Sequence, residues 1–360
     1  MKKNKNIALL CASLSRGGAE RVLISLAKYF KNNGYDAKII TSYKVDNEYE
    51  IPEGIKRINL TGKINSSGNF ISRTFGSIKE LRKTIKKEDI DILIIMGTPN
   101  CIYGITGSIF TKAKVIVSER NDPRHFTGKR STKFLSRFLM KFADRFVFQT
   151  EDAKKFYDKQ LKGRGTVIHN PILVDNLPEF FTGDREKTIV SMGRLNPQKN
   201  QKMLIDAFAE ISEKIPEYKL IIYGEGSLRN DLESQIKELH LEDKISLPGN
   251  FLDVHERIKK ASLFVMSSDF EGMPNALIEA MALGLPCIST DCPCGGPKEL
   301  IENNKNGVLV PVNDESALVK QMLKIINNKE YATSISKEAV KIKNHLDIKN
   351  IGKQWEDYII

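Results

Sequence analysis

Residues 262–290 read "SLFVMSSDFEGMPNALIEAMALGLPCIST". The first seven hold the apolar run Leu263–Met266 and read as a strand of a parallel sheet. A Gly-Met-Pro-Asn turn follows at 272–275. Pro274 suits the first turn of a helix and not its interior, and Asn275 is placed to cap. Residues 276–282 are strong helix formers, and Gly284 supplies the C-terminal stop. The chain then enters a second short apolar run, "PCIST". Strand, loop, helix and strand in this order form the crossover unit of a parallel α/β sheet.

The same alternation extends both ways. Downstream, "GVLVPV" reads as a strand and 315–327 as a helix. Upstream, "KTIVSMG", "YKLIIYGEG" and "KISLPGN" read as strands, followed by helices over 200–215, 227–239 and "VHERIKKA". The first half repeats the arrangement: "NIALLCAS" as a strand, "LSRGGAE" as a loop, a helix over 19–31, then "AKIITSY", "DILIIMG", "KVIVSER", "RFVFQT" and "GTVIHNP". Two doubly wound parallel sheets are predicted, in domains 1–172 and 173–344. The segment 171–185 reads as the interdomain connection, and a helix over about 345–360 as packing back on the first domain.

A chain of 360 residues fits two such cores. Five cysteines, an odd number spread widely, argue for a reducing compartment and against a disulfide framework. Cys292-Pro293-Cys294 lacks the further ligands a closed zinc site needs. The N-terminus has basic residues before an apolar run, but no small-x-small cleavage signal precedes Arg16, so it reads as a first strand. No apolar run approaches the ~20 residues needed to span a bilayer. Charge is uneven: residues 1–180 hold 33 Lys and Arg against 18 Asp and Glu, and residues 181–360 hold 23 against 27. The basic half suits an anionic partner.

Ligands of parallel α/β sheets bind at the carboxyl ends of the strands. Arg16-Gly17-Gly18 follows the first strand and opens a helix, which fits either a phosphate approach or a plain tight turn. Gly224-Glu225-Gly226 does not continue into a dinucleotide fingerprint, because Arg229 occupies the third glycine position. Arg194 and Lys199 stand just past a strand: a planar fork and a point charge that suit a diphosphate, or a solvated face. Glu271 precedes the helix start and Glu279 lies about one turn inside. The amides of Gly272, Met273 and their neighbours suit an anion, and the carboxylates suit hydroxyls. A nucleoside diphosphate sugar would use all of these groups. The structural alternative for Glu279 is complementing the helix dipole.

Together "GGAE" (17–20), "GRLNPQKN" (193–200), "YGEG" (223–226) and "FEGMPNALIEAMALGLP" (270–286) resemble the family 4 retaining glycosyltransferases with their E-x7-E motif. The resemblance covers nearly the whole chain. It implies a GT-B fold, two Rossmann-like domains facing a central cleft. It implies that Glu279 binds the nucleotide ribose and that Glu271 contacts donor-sugar hydroxyls, helped by the backbone of the turn Gly272, Met273, Pro274 and Asn275, in which every residue but Pro274 offers an N–H. Arg194 and Lys199 would hold the diphosphate, and Gly17 and Gly18 would approach it from the first domain. Glu271, Arg194 and Lys199 are the implied catalytic groups. Relatives carry a histidine near the donor sugar; here "VSERNDPRH" has Arg120 in its place, with His125 five residues on. Glu119 and Arg120 are the weaker candidates at that position. The family mechanism needs neither metal nor other cofactor. The formal D-x-D at Asp89–Asp91 lies at the start of a strand, the wrong end for a site.

Lys133, Arg137, Lys141 and Arg145 recur every four residues beside Phe134, Leu135, Phe138, Leu139 and Phe142. This is either a surface helix with its apolar side in the core, or a helix docking on an anionic membrane surface. Lys79, Arg82, Lys83, Lys86 and Lys87 add to the basic half. Nucleic acid is not expected, since no aromatic-basic platform or known module is present. The expected protein is cytoplasmic and peripheral on the inner face of the cell membrane. It would move a hexose or N-acetylhexosamine from a nucleotide-sugar donor, a UDP-sugar by family frequency, to a saccharide or lipid-diphosphate-linked saccharide acceptor in surface polysaccharide (capsule or exopolysaccharide) synthesis. A GT-B UDP-sugar epimerase or hydrolase, and a catalytically silent nucleotide-sugar-binding protein, are the alternatives.

Overall fold

The computed structural model describes residues 5–15, 17–60, 70–125 and 130–360. The chain divides into two compact units, Met1–Pro171 with Ile348–Ile360, and Ile172–Asp347. Among the described residues the first unit holds strands β1 (Asn6–Cys11), β2 (Asp36–Thr41), β3 (Lys56–Asn59), β4 (Ile92–Met96), β5 (Lys114–Ser118), β6 (Arg145–Phe148) and β7 (Gly165–Val167). They form one sheet in the order β3-β2-β1-β4-β5-β6-β7, parallel throughout. The second unit holds β8 (Glu186–Met192), β9 (Lys219–Tyr223), β10 (Ile245–Gly249), β11 (Ala261–Met266), β12 (Cys287–Thr290) and β13 (Val308–Val310). Their order is β10-β9-β8-β11-β12-β13, again parallel. Each is a doubly wound sheet whose order reverses once, beside β1 and beside β8.

The central strands are the apolar runs visible in the sequence; every residue of β4 is buried. In the second unit, Ile189, Ile222, Leu263, Val265 and Ile288 pack against helix residues Leu204, Phe208 and Met322. Strand β3 has no such run, because an edge strand of sequence Lys-Arg-Ile-Asn needs little burial.

The chain divides between Pro171 and Ile172, and from Ile172 onward it is fastened to the second unit. Ile172 N donates to Leu346 O at 2.7 Å. The Arg185 guanidinium donates to the carbonyls of Ala261 at 2.9 Å and Lys259 at 3.2 Å, and to that of Gly284.

The C-terminal helix, Ile348–Ile359, belongs to the first unit. Trp355 is fully buried there. Glu356 accepts from the hydroxyls of Tyr35 at 2.7 Å and Tyr29 at 3.2 Å, and Tyr358 donates to Arg164 O at 2.8 Å.

Candidate active site

At a switch point two adjacent strands send their chains to opposite faces, leaving a crevice between their loops. In the second unit these are β8 and β11, and their loops are fastened together. Asp269 N donates to Gln198 O at 2.9 Å. Ser267 Oγ donates to Lys199 O at 2.9 Å, and Gln198 Nε2 to Phe270 O at 2.9 Å. Asn200 Nδ2 reaches Asp269 Oδ1 at 2.9 Å. On this frame Lys199 Nζ forms an ion pair with Glu271 Oε1. Ser268 Oγ donates to the same oxygen at 2.7 Å, and Gln198 Nε2 to the other at 3.4 Å. Glu271 is only 5% exposed. Arg194 lies on the same loop as Lys199, just past the end of β8, and is exposed.

Two glycines make this frame possible. A Cβ on Gly224 would lie 1.9 Å from Gly193 O, so the loops after β8 and β9 pack backbone on backbone. Here lies the physical reason for "YGEG", a close approach of loops and not a dinucleotide fingerprint. A Cβ on Gly296 would lie 1.8 Å from Gly272 O. The loop it would push is pinned on both sides, by Glu271 N to Pro293 O at 2.7 Å and Cys294 N to Glu271 O at 2.9 Å. Gly296→Ala is therefore expected to cost about 1–3 kcal/mol through overpacking. Because the displaced carbonyl adjoins Glu271, activity should fall more than stability; activity assays beside thermal melts of the variant check this.

Helix Asn275–Ala282 follows, with Glu271, Gly272, Met273 and Pro274 buried ahead of it. Asn275 does not cap it. Pro274 is the N-cap residue, in extended conformation, and Asn275 is the first helical residue; no side-chain cap bond is made. Proline fixes the entry angle without needing an amide partner. Glu279 faces inward on this helix, 8% exposed. Its Oε2 lies 2.8 Å from Nε2 of His255, on the short helix Val254–Ile258. Sequence reading did not single out His255; its only signal was its place just past a strand end.

The structure thus brings Lys199, Glu271 and the 272–275 turn together, with Arg194 on the same loop as Lys199 and Glu279 on the helix that the turn opens. Gly17 and Gly18 belong to the first unit, after β1 at that sheet's own switch point. Gly17 is the N-cap of helix Gly18–Asn32; Arg16 lies outside the described residues.

At the end of β5, Glu119 is buried. It accepts from Thr98 Oγ1, from Tyr157 OH at 3.3 Å and from Arg120 N at 2.9 Å. Burial raises its pKa. Arg120 donates to Asn170 Oδ1 at 2.5 Å and to Ser118 Oγ at 3.3 Å, and burial pushes its pKa down to about 10. His125 pairs with a carboxylate of its own loop. Its Nδ1 lies 3.0 Å from Oδ2 of the buried Asp122, and its amide donates to Asp122 O at 2.9 Å. The Asp89–Asp91 pair has a structural explanation: Lys112 bridges both carboxylates at 2.8 Å, and Asp91 Oδ2 accepts from Asn6 N at 2.9 Å.

The basic stripe is shorter than its spacing suggested. Helix Arg130–Met140 ends before Lys141, and Arg145 belongs to β6. Arg137 is a fastener: it donates to Pro123 O at 3.1 Å and lies 4.8 Å from the centre of the Phe156 ring. Lys133 donates to Arg124 O at 3.2 Å. The apolar residues divide. Leu139 and Met140 are buried, while Phe134 is 76% exposed, Phe142 is 62% exposed, and Leu135 and Phe138 are also exposed. Among the described residues no helix is long and apolar enough to cross a membrane.

In doubly wound sheets of this kind the crevice at the switch point is the ligand-binding place. Residues 16–176 match the family described as Glycosyltransferase Family 4, and residues 176–342 match Glycosyl transferases group 1. The chain is 31% identical over 338 residues to an uncharacterised glycosyltransferase of Methanocaldococcus jannaschii, covering 79% of this chain and 82% of that protein. It is 28% identical over 352 residues to a Campylobacter jejuni "GalNAc-alpha-(1->4)-GalNAc-alpha-(1->3)-diNAcBac-PP-undecaprenol alpha-1,4-N-acetyl-D-galactosaminyltransferase", covering 97% and 96%. Its fold matches Staphylococcus aureus TarM, crystallised in a complex containing UDP, with a TM-score of 0.83 at 16% identity over 99% of both chains. The fold is GT-B. The chain belongs to the glycosyltransferases of the family 4 and group 1 type, and it is an enzyme.

Proposed function

We propose that this glycosyltransferase moves a hexose or N-acetylhexosamine, with retention, from a UDP-sugar to a lipid-diphosphate-linked saccharide in surface polysaccharide synthesis. The observation that carries the reading is the fastened Lys199–Glu271 pair at the β8–β11 switch point, with Glu279 on the next helix. Glu279 accepts from the ribose hydroxyls and Glu271 from those of the sugar. Arg194 and Lys199 face the diphosphate. The bond from the anomeric carbon to the diphosphate oxygen breaks, the acceptor oxygen bonds to the same face, and the acceptor's proton passes to the leaving phosphate oxygen. Negative charge grows on the diphosphate, where two cations in a partly dry site act strongly. The reading calls for no metal or other cofactor, because these cations supply the positive charge. The diphosphate-undecaprenol substrate in the name of the Campylobacter relative supports the acceptor class, and the UDP in the TarM complex supports the donor.

A thermal-shift panel of UDP, GDP, ADP and their sugar conjugates, run beside Glu279→Ala, tests the donor. A ligand at a hundred times its Kd adds about 2.7 kcal/mol of stability. A UDP-selective shift lost in the variant is the expected result; no shift with any nucleotide overturns the reading. Turnover without acceptor would point instead to an epimerase or hydrolase.

The acceptor reading also calls for the first unit to meet an anionic bilayer. Exposed Phe134, Phe138 and Phe142 beside Lys133 and Lys141 supply apolar insertion and charge together. A basic residue near such a surface is worth about 1 kcal/mol, roughly fivefold in affinity. Lys133→Gln with Lys141→Gln should weaken binding to phosphatidylglycerol vesicles about 10–30-fold. Flotation with anionic and neutral vesicles measures it, and unchanged binding removes the membrane from the account.

A further inference from the structure

We infer that His255 is a positioning residue for the donor: it holds the Glu279 carboxylate in the orientation that recognises the vicinal ribose hydroxyls. The inference rests on the donor reading above and names a residue that reading does not need.

The case begins with burial. Glu279 lies inside the second unit, and a buried carboxylate without a hydrogen-bond donor carries a large desolvation cost. His255 Nε2 lies 2.8 Å from its Oε2. A ring N–H donated there restrains that oxygen and so limits the orientations open to the carboxylate. A carboxylate has about four acceptor sites, and the histidine takes one of them.

The histidine is itself held. Its helix, Val254–Ile258, is anchored inward by fully buried Ile258. On the outer side the Arg257 guanidinium lies 3.8 Å from the centre of the Phe251 ring and donates to Asp253 Oδ1 at 2.9 Å. Phe251 in turn meets Tyr223, at the end of β9, edge to face with centroids 6.2 Å apart. The ring that orients Glu279 is therefore set by β9 and β10, and the carboxylate by β11 and its helix. Recognition of a cis-diol depends on angle as much as on distance, so a freely rotating carboxylate would lose much of it.

The test is a cycle between residue and ligand. Calorimetry gives Kd for UDP and for 2′,3′-dideoxy-UDP with the wild type, His255→Leu and His255→Gln. The wild type is expected to prefer UDP by about tenfold or more, the size of one or two well-aligned hydrogen bonds. His255→Leu should weaken UDP about tenfold and leave the dideoxy ligand within about twofold, so the preference collapses. His255→Gln restores a side-chain N–H and should recover most of the preference. In turnover the loss should fall on KM for the donor and leave kcat near the wild-type value. Equal weakening of both ligands, or an undiminished preference in His255→Leu, overturns the positioning role while leaving the donor reading intact. No UDP binding by the wild type overturns the donor reading and the role of His255 with it.

Discussion

Lys199→Ala is expected to lower kcat by about 10²–10³-fold, the usual effect of removing one group aimed at developing transition-state charge. The same variant should lose stability, because Glu271 is then left buried without its cation. Breaking a fully buried pair costs about 3–5 kcal/mol, and the partial exposure of Lys199 brings this to about 1–3 kcal/mol. For a unit of this size that is a fall in Tm of roughly 2–10 °C. The two effects separate in Lys199→Met with Glu271→Gln, which removes both charges and keeps the volume. Melting temperature should return toward the wild type while activity stays lost. If activity returned with stability, the pair would be a structural brace and the catalytic assignment would fail.

Trp355→Ala should destabilise the first unit by about 3–5 kcal/mol, the range for deleting a large buried aromatic. Trp355 is the only tryptophan in the chain and is fully buried. Its fluorescence in the wild type therefore reports the unfolding of the first unit alone. Its indole N–H has no hydrogen-bond partner among the described residues. Trp355→Phe should accordingly cost much less, since it keeps an aromatic filler and sheds an unsatisfied donor. Scanning calorimetry checks both variants. The transition of the first unit should move down in Trp355→Ala, and that of the second unit should stay in place.

How much the sequence disclosed depends on how strongly each element must be buried. Strand β4 is a continuous apolar run and β8 and β11 carry apolar segments with four buried residues at their ends, because helices cover both faces, and they were readable at once. Strand β3 was not, because Lys56 and Arg57 sit on a sheet edge. The site was legible where its chemistry is local: Arg194 and Lys199 share one loop, and Glu271 and Glu279 share one loop-helix unit. His255 was not legible, because its partner lies 24 residues away and only the fold brings them together. Nor does a four-residue spacing tell which side of a helix meets water. It suggested a cationic stripe through Arg145, whereas the exposed groups include Lys141, Leu135 and the phenylalanines, and Arg137 is engaged with Pro123 and Phe156.

The first unit is built from both ends of the chain, with the whole second unit inserted between Pro171 and Ile348. On a ribosome adding about 5–20 residues per second, the last helix emerges roughly 10–40 s after residue 171. Through that interval the groove that receives the last helix stands open, with Tyr29 and Tyr35 awaiting their partner Glu356. The inserted unit has all its strands before then and can finish first. The second unit can thus complete its sheet before the first unit receives its last helix.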